Sequence, residues 1–377
     1  MPPGLDLRLD RETLLARHWQ REPLLVRDAV PGFTPPLSRH ELAGLAMDED
    51  IEARIVACEH GHWQVHHGPF GESDYRRATP WTLLVQAVDQ VDPGVAALRR
   101  MIDFIPGWRL DDVMVSYGDD GASVGPHYDH YDVFLLQGEG EKTWRLGQYC
   151  DAHTPLLPHD ELRILRDFEQ REEYLLRSGD LLYVPPGVAH WGIARGDSTT
   201  FSIGFRAPRV NDMVSRFADQ LLAAMDPELF YRDAGQAPAT HPGEIRRADL
   251  DRALGQLQAA LDQAQDSAWF GELVTEPRYD CTPDGAQLRR ALQRLGGEPA
   301  AVELHAAAKL AWQADPDGIL AFANGDSARF DAGVRTALER LCGDWVLDGR
   351  TLRDVLDDAE GRRLLEYLLH SGCIDVR

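Results

Sequence analysis

The segment Gly125-Pro126-His127-Tyr128-Asp129 sets an imidazole and a carboxylate on alternate residues. On an extended chain alternate side chains share a face, so both can address one ion. Imidazole and carboxylate make part of a shell for a borderline divalent metal, and a third ligand is needed. Downstream runs Gly179-Asp180-Leu181-Leu182-Tyr183-Val184-Pro185-Pro186-Gly187-Val188-Ala189-His190. Glycine opens a strand, Pro-Pro-Gly turns it, and His190 stands just past the turn. Two histidines and one carboxylate on one face form the facial triad of non-haem Fe(II) oxygenases, with positions left open for a cosubstrate and O2. His-x-Asp alone is a weak signal among 14 histidines. The order of the two motifs and their separation (190 − 129 = 61) strengthen it. The competing reading is a metal-free sandwich whose polar residues are satisfied internally.

Lys142 is one of two lysines, Lys309 being the other, in a chain with 39 Lys+Arg. Arginine dominance reads as codon bias. Gly138-Glu139-Gly140-Glu141-Lys142-Thr143 fails as a phosphate loop, because glycine must directly precede Lys-Thr and a helix must follow. Trp144-Arg145-Leu146 reads instead as a strand. At the start of that strand, Lys142 can reach into a barrel and pair with the far carboxylate of a dicarboxylate cosubstrate. The plainer reading is a solvated turn lysine. The histidines His60, His62, His66 and His67 match no standard metal spacing and read as ordinary strand and turn.

The elements that must position these groups are short strands. Residues 113–117, 132–137, 143–146, 174–177, 181–184, 191–193 and 200–205 carry β-type runs separated by Gly, Asp and Pro turns. That density predicts a β-sandwich or jelly-roll barrel. Before it, residues 14–19 read as helix, 23–27 and 63–66 as strand, 31–36 as a Pro-rich loop, and 82–91 as helix by periodicity. After Pro208, residues 210–225 and 245–264 read as long helices, the second with Leu250, Leu254, Leu257 and Leu261 on one stripe. That stripe serves equally for packing within the chain or for dimerisation. From Thr282 the pattern is a small α+β module, compatible with a winged helix. The expected domains are 1–208 (catalytic, barrel core about 110–206), 209–275 (helical) and 276–377 (winged-helix-like).

Composition narrows the class. A formal charge of −23, from 62 Asp+Glu against 39 Lys+Arg, disfavours phosphate backbones and favours a basic partner. The acid-rich tail argues for protein contact over DNA binding. The five cysteines include no C-x-x-C pair. No secretory pattern opens the sequence and no run approaches the ~20 apolar residues of a membrane helix. A cytoplasmic protein without membrane or direct nucleic-acid contact is expected.

The stretch from Val124 to Phe134, with Trp144-Arg145 and Ser202-Ile203-Gly204-Phe205-Arg206, resembles the JmjC-type Fe(II)/2-oxoglutarate oxygenases that hydroxylate ribosomal proteins. The bacterial branch, which hydroxylates an arginine of a large-subunit ribosomal protein, is the nearest likeness. His18-Trp19-Gln20-Arg21-Glu22-Pro23-Leu24-Leu25 and Phe104-Ile105-Pro106-Gly107-Trp108-Arg109 resemble that family's N-terminal region. The last hundred residues match in pattern only. The resemblance implies an α+β chain: a double-stranded β-helix (jelly-roll, cupin-like) barrel, a helical dimerisation region giving a homodimer, and a C-terminal winged-helix-like domain. It implies His127, Asp129 and His190 as Fe(II) ligands. Lys142 and Ser116 take the 5-carboxylate of 2-oxoglutarate, Lys142 as a point charge where an arginine would offer a fork. Asp112, Tyr131 and Ser202 match positions lining the substrate pocket, although Asp112 in Leu110-Asp111-Asp112 reads equally as a surface-turn carboxylate. The expected reaction consumes O2 and 2-oxoglutarate and hydroxylates a basic ribosomal protein. Histidine hydroxylation or demethylation of another basic protein, a cupin metalloenzyme that does not use 2-oxoglutarate, and a winged-helix regulator with a sensory barrel are the alternatives.

Overall fold

Alternation along single strands builds the barrel. In Ser198–Phe205, the side chains of Phe201, Ile203 and Phe205 enter one buried core while those of Thr200 and Ser202 point the other way. The structure, a computed structural model, describes residues 7–263, 268–297 and 299–377. The chain divides into two units, Met1–Ala207 and Pro208–Arg377.

The strands of the first unit are β1 (Leu24–Val26), β2 (Ala53–Glu59), β3 (His62–His67), β4 (Trp81–Val85), β5 (Leu110–Gly118), β6 (Asp132–Gln137), β7 (Glu141–Tyr149), β8 (Glu172–Arg177), β9 (Leu181–Val184), β10 (Val188–Arg195) and β11 (Ser198–Phe205). One sheet has the order β1-β9-β6-β11-β5-β4-β2-β3, and the facing sheet the order β10-β7-β8. The non-consecutive neighbours are the signature of a jelly roll. Between the sheets, Val133, Leu135, Trp144, Leu146, Leu176, Leu182, Val184 and Val188 fill the barrel. On the outer face of the large sheet, Phe134, Leu136, Phe201 and Ile203 pack against Leu14, Leu42 and Leu98 from the N-terminal helices. Those helices are locally encoded. Ser38 and Glu41 form a capping box on Arg39–Leu45, and Asp92 caps Pro93–Arg99 with proline in its first turn. Phe134 is fully buried in this layer, and truncating it to alanine costs about 3–5 kcal/mol.

Residues 82–91 are not a helix. Trp81–Val85 is strand β4, followed by the short 3-10 turn Val88–Gln90. Strand β4 lies between β2 and β5 with all five residues buried. A strand covered on both faces is apolar throughout, and its spacing then mimics a helical stripe.

In the second unit, helices Val210–Ala224, Arg247–Gln263, Ala268–Val274 and Gly285–Leu295 come first. A meander of Leu310–Asp315, Gly318–Ala323 and Asp326–Phe330 forms one small sheet. Ala301–Leu304 forms another, between Val346–Asp348 and the terminal strand Ile374–Val376. Helices Arg335–Gly343, Gly349–Asp357 and Ala359–His370 complete this α+β module around Val302, Ile319, Leu338, Leu341, Leu364 and Leu368. No described helix is long and apolar enough to cross a membrane.

Candidate active site

His127 and His190 are joined backbone to backbone. The His127 N–H donates to the His190 carbonyl at 3.0 Å, and the His190 N–H returns to the His127 carbonyl at 2.8 Å. This bridge sets the two rings side by side, centroids 4.3 Å apart. Each ring is then oriented by a carbonyl two residues back in its own chain. Nδ1 of His127 lies 2.9 Å from the Gly125 oxygen, and Nδ1 of His190 lies 2.9 Å from the Val188 oxygen. A carbonyl only accepts, so each Nδ1 carries the proton and each Nε2 keeps its lone pair for a metal. The Asp129 carboxylate reaches this point, Oδ2 standing 3.5 Å from Nε2 of His190. Ligand atoms of His127, Asp129 and His190 all lie within 4.8 Å of one another, the one such cluster among the described residues.

The surroundings hold this geometry. Gly125 has φ +82°, and a Cβ there would stand 2.8 Å from Trp63 and Ile164. Only glycine satisfies both the dihedral and the contact. The turn after β9 closes on the site through the Gly187 N–H, which donates to the Asp129 carbonyl at 2.8 Å. Burial, with His127 beside it, pushes the imidazolium of His190 down to about 4, so the ring is neutral and ligand-ready. The Asp129 carboxylate, then burial, pushes the Tyr131 phenol well up.

Lys142 points into the barrel from β7. Gly192, opposite Trp144 on β10, makes room: a Cβ there would stand 2.8 Å from Lys142 Cε and from the Trp144 ring. The ammonium lies 4.9 Å from the Trp144 ring centroid and donates to Thr200 Oγ1 at 3.4 Å. Burial pushes its pKa down to about 8. Among the described residues no carboxylate pairs with it. Beside it, the Trp144 indole N–H is buried with no hydrogen-bond partner. A buried cation and an orphaned donor on one wall make a site for an anionic oxygen group. Ser116 and Gln137 flank Thr200 in register on β5 and β6.

At the other end of the pocket, Asp112 is 4% exposed and is no surface turn. Its Oδ2 accepts from the Gln86 side-chain amide at 2.6 Å and from the Ala87 N–H at 3.1 Å. The Tyr131 phenol feels both Asp129 and Asp112, and its ring lies 5.8 Å from the Arg206 guanidinium carbon. Arg206 is itself paired with Asp111 at 2.7 Å. Ser202 is buried on β11, opposite Met114 and Leu135. Of the four dispersed histidines, His62, His66 and His67 share β3 and His60 lies in the turn before it, and they form no metal cluster. Gln86, Thr200, Gly192 and the indole of Trp144 were not singled out by sequence reasoning. For Trp144 a signal existed, since it stands two residues from Lys142 on a strand and so shares its face.

A JmjC domain model matches residues 97–213, a ROXA-like winged-helix model residues 258–375, and an AraC-like ligand-binding domain model residues 168–275. The ribosomal protein uL16 3-hydroxylase of Escherichia coli (strain K12) is 34% identical over 380 residues, covering 97% of each chain. A probable ribosomal oxygenase of Haemophilus influenzae is 31% identical over 384 residues, covering 96% of this chain and 93% of the other. The structure of YcfD, a ribosomal oxygenase from Escherichia coli in complex with cobalt and 2-oxoglutarate, superimposes with a TM-score of 0.81 at 32% identity, covering 99% of each chain. With its jelly-roll barrel, its two-histidine, one-carboxylate triad and this full-length likeness, the chain belongs to the JmjC-type ribosomal oxygenases.

Proposed function

We propose that this chain is an Fe(II)- and 2-oxoglutarate-dependent hydroxylase of an arginine side chain in a large-subunit ribosomal protein, uL16 being the first candidate. The observation that carries the reading is the pair of histidines with both Nδ1 atoms turned to carbonyls and both Nε2 atoms left to meet Asp129. His127, Asp129 and His190 would hold the iron. Lys142, with Ser116 nearby, would hold the far carboxylate of 2-oxoglutarate, and the unpartnered Trp144 N–H fits the same oxygen-rich cosubstrate. When bound, iron and 2-oxoglutarate supply an O2-driven oxidation of an unactivated C–H, with succinate and CO2 as co-products.

The chain's own residues bind and orient. The Lys142 ammonium and the Thr200 hydroxyl fix one end of the cosubstrate beside the apolar side chains of the barrel. The buried Asp112 carboxylate accepts charge-assisted hydrogen bonds from the substrate guanidinium, Tyr131 flanks the side-chain stem, and Ser202 lines the pocket between them. That Asp112 is buried and held by two donors favours a cationic, hydrogen-bonding substrate over a histidine. The net charge of −23 steers a basic protein to this surface.

Three further assignments belong to the same reading. Leu250, Leu254, Leu257 and Leu261 are exposed along Arg247–Gln263, and we assign residues 209–275 to homodimerisation. Residues 276–377 form the winged-helix-like domain, used for protein contact without direct nucleic-acid binding. The location is cytoplasmic, where ribosomal proteins are made. Mass spectrometry of intact ribosomal proteins from wild-type and deletion strains tests the reading. One oxygen atom missing from an arginine of uL16 in the deletion strain is expected. An unchanged uL16 with a shift on a histidine of another protein would replace arginine with histidine as the target.

A further inference from the structure

The support behind Asp112 comes from a part of the chain remote from the metal motif. Gln86 follows β4, and its backbone N–H is anchored on the Glu52 carbonyl at 2.9 Å. Its side-chain amide donates to Asp112 Oδ2 at 2.6 Å, across 26 residues of sequence. The Ala87 N–H donates to the same oxygen at 3.1 Å. Ala87 does so from φ +51° and ψ 37°, a left-handed conformation that a residue with a β-carbon adopts only where its surroundings impose it. The buried Arg99, paired with Asp89 at 3.1 Å, adds its positive charge to the surroundings of Asp112. On the opposite side, β5 carries a bulge against β11: Val113 pairs with Ile203 and Leu110 with Phe205, so Asp111 and Asp112 together face Gly204. Gly204 sits opposite that bulge, and a Cβ built there would lie 3.9 Å from Asp112 Oδ1. The Asp112 carboxylate is therefore held at Oδ2 from the β4 side.

We infer that Gln86 is a positioning residue for substrate recognition: it fixes the rotation of the Asp112 carboxylate so that Asp112 selects a guanidinium over a neutral side chain of the same shape. The inference rests on the reading of Asp112 as the guanidinium partner. A carboxylate turns easily about its terminal bond, whose energy profile is broad and two-fold. Charge-assisted pairing with a planar guanidinium demands one setting of that bond. A donor fixed to Oδ2 supplies it before the substrate arrives, which removes an ordering cost from binding.

The test uses the full-length enzyme loaded with Mn(II) and 2-oxoglutarate without oxygen, so that binding is read without turnover. The probes are a fluorescently labelled uL16 peptide spanning the modified arginine and the same peptide with citrulline there. Citrulline keeps the shape and loses the charge. The wild type prefers the arginine peptide. Gln86→Leu narrows that preference about tenfold, the worth of one hydrogen bond to a charged group. It leaves the citrulline affinity and the half-saturating 2-oxoglutarate concentration unchanged. Gln86→Asn, one methylene too short, narrows it similarly. If both Gln86 variants keep the wild-type ratio while Asp112→Asn collapses it, the inference is overturned and the reading of Asp112 stands. If Asp112→Asn also keeps the ratio, the reading itself falls. A shift in 2-oxoglutarate saturation in step with the peptide would make Gln86 a support of the barrel and overturn the inference as well.

Discussion

Two carboxylates bear on Tyr131, and they are held in opposite ways. Asp129 belongs to a short motif. Its neighbour His127 is oriented by a carbonyl two residues away, and the whole segment is tied to His190 by a two-bond bridge. Asp112 is held by Gln86 and Ala87, from a segment that the pairing of β4 with β5 sets beside it. The metal end of the pocket is built from local geometry, the end we assign to substrate recognition from tertiary placement. Failure at the first end removes the chemistry. Failure at the second changes which substrate is accepted and how tightly.

This contrast orders the expected effects. His127→Ala or Asp129→Ala removes a ligand that no neighbour replaces, so substrate-dependent succinate formation is abolished. Wild-type turnover in either variant would refute the iron assignment. Lys142→Ala comes next. Losing a charge-assisted contact inside the barrel is expected to raise the half-saturating 2-oxoglutarate concentration about 100-fold. Lys142→Arg keeps the charge and restores most of the affinity. An unchanged KM in the alanine variant would dismiss Lys142 as the anchor.

The same residue gives a pH signature. Burial lowers the Lys142 pKa to about 8, so the free enzyme loses its cation as pH rises through that value. With Lys142 in its proposed role the cosubstrate carboxylate needs the charged form, and kcat/KM for 2-oxoglutarate is expected to fall above pH ~8, by up to about tenfold per unit. Lys142→Arg, charged throughout, abolishes that limb. A profile that is the same in both proteins would assign the limb to another group.

How much of this was legible in the sequence follows the same division. The triad could be read because His-x-Asp and the Pro-Pro-Gly turn before His190 each carry their geometry within a few residues. The strands from β5 to β11 could be read because turns separate them and side chains alternate. Strand β4 could not, because burial on both faces removes the alternation. Gln86 was hidden with it, and the burial of Asp112 was hidden too, since neither aspartate of Asp111-Asp112 declares which one faces inward. The Leu310–Asp315 meander of the second unit was seen only as part of an α+β module, its strands being short and their pairing set by the surrounding core.

Gly204→Ala probes the recognition end at its mildest. A Cβ there meets nothing nearer than 3.8 Å, so the fold accepts it. It occupies space beside Asp112, and the KM for uL16 is expected to rise a few-fold with 2-oxoglutarate saturation unchanged. An equal change in both constants would show that the bulge serves the barrel as a whole.

The most direct test of the metal end is anaerobic titration of the purified chain with Fe(II) and 2-oxoglutarate, followed by the visible charge-transfer absorption that chelation produces. One iron per chain and a saturable band are predicted for the wild type, with no band for His127→Ala and a band only at much higher 2-oxoglutarate for Lys142→Ala. The absence of a band in the wild type, or an equal band in all three proteins, would contradict the assignment of His127, Asp129, His190 and Lys142.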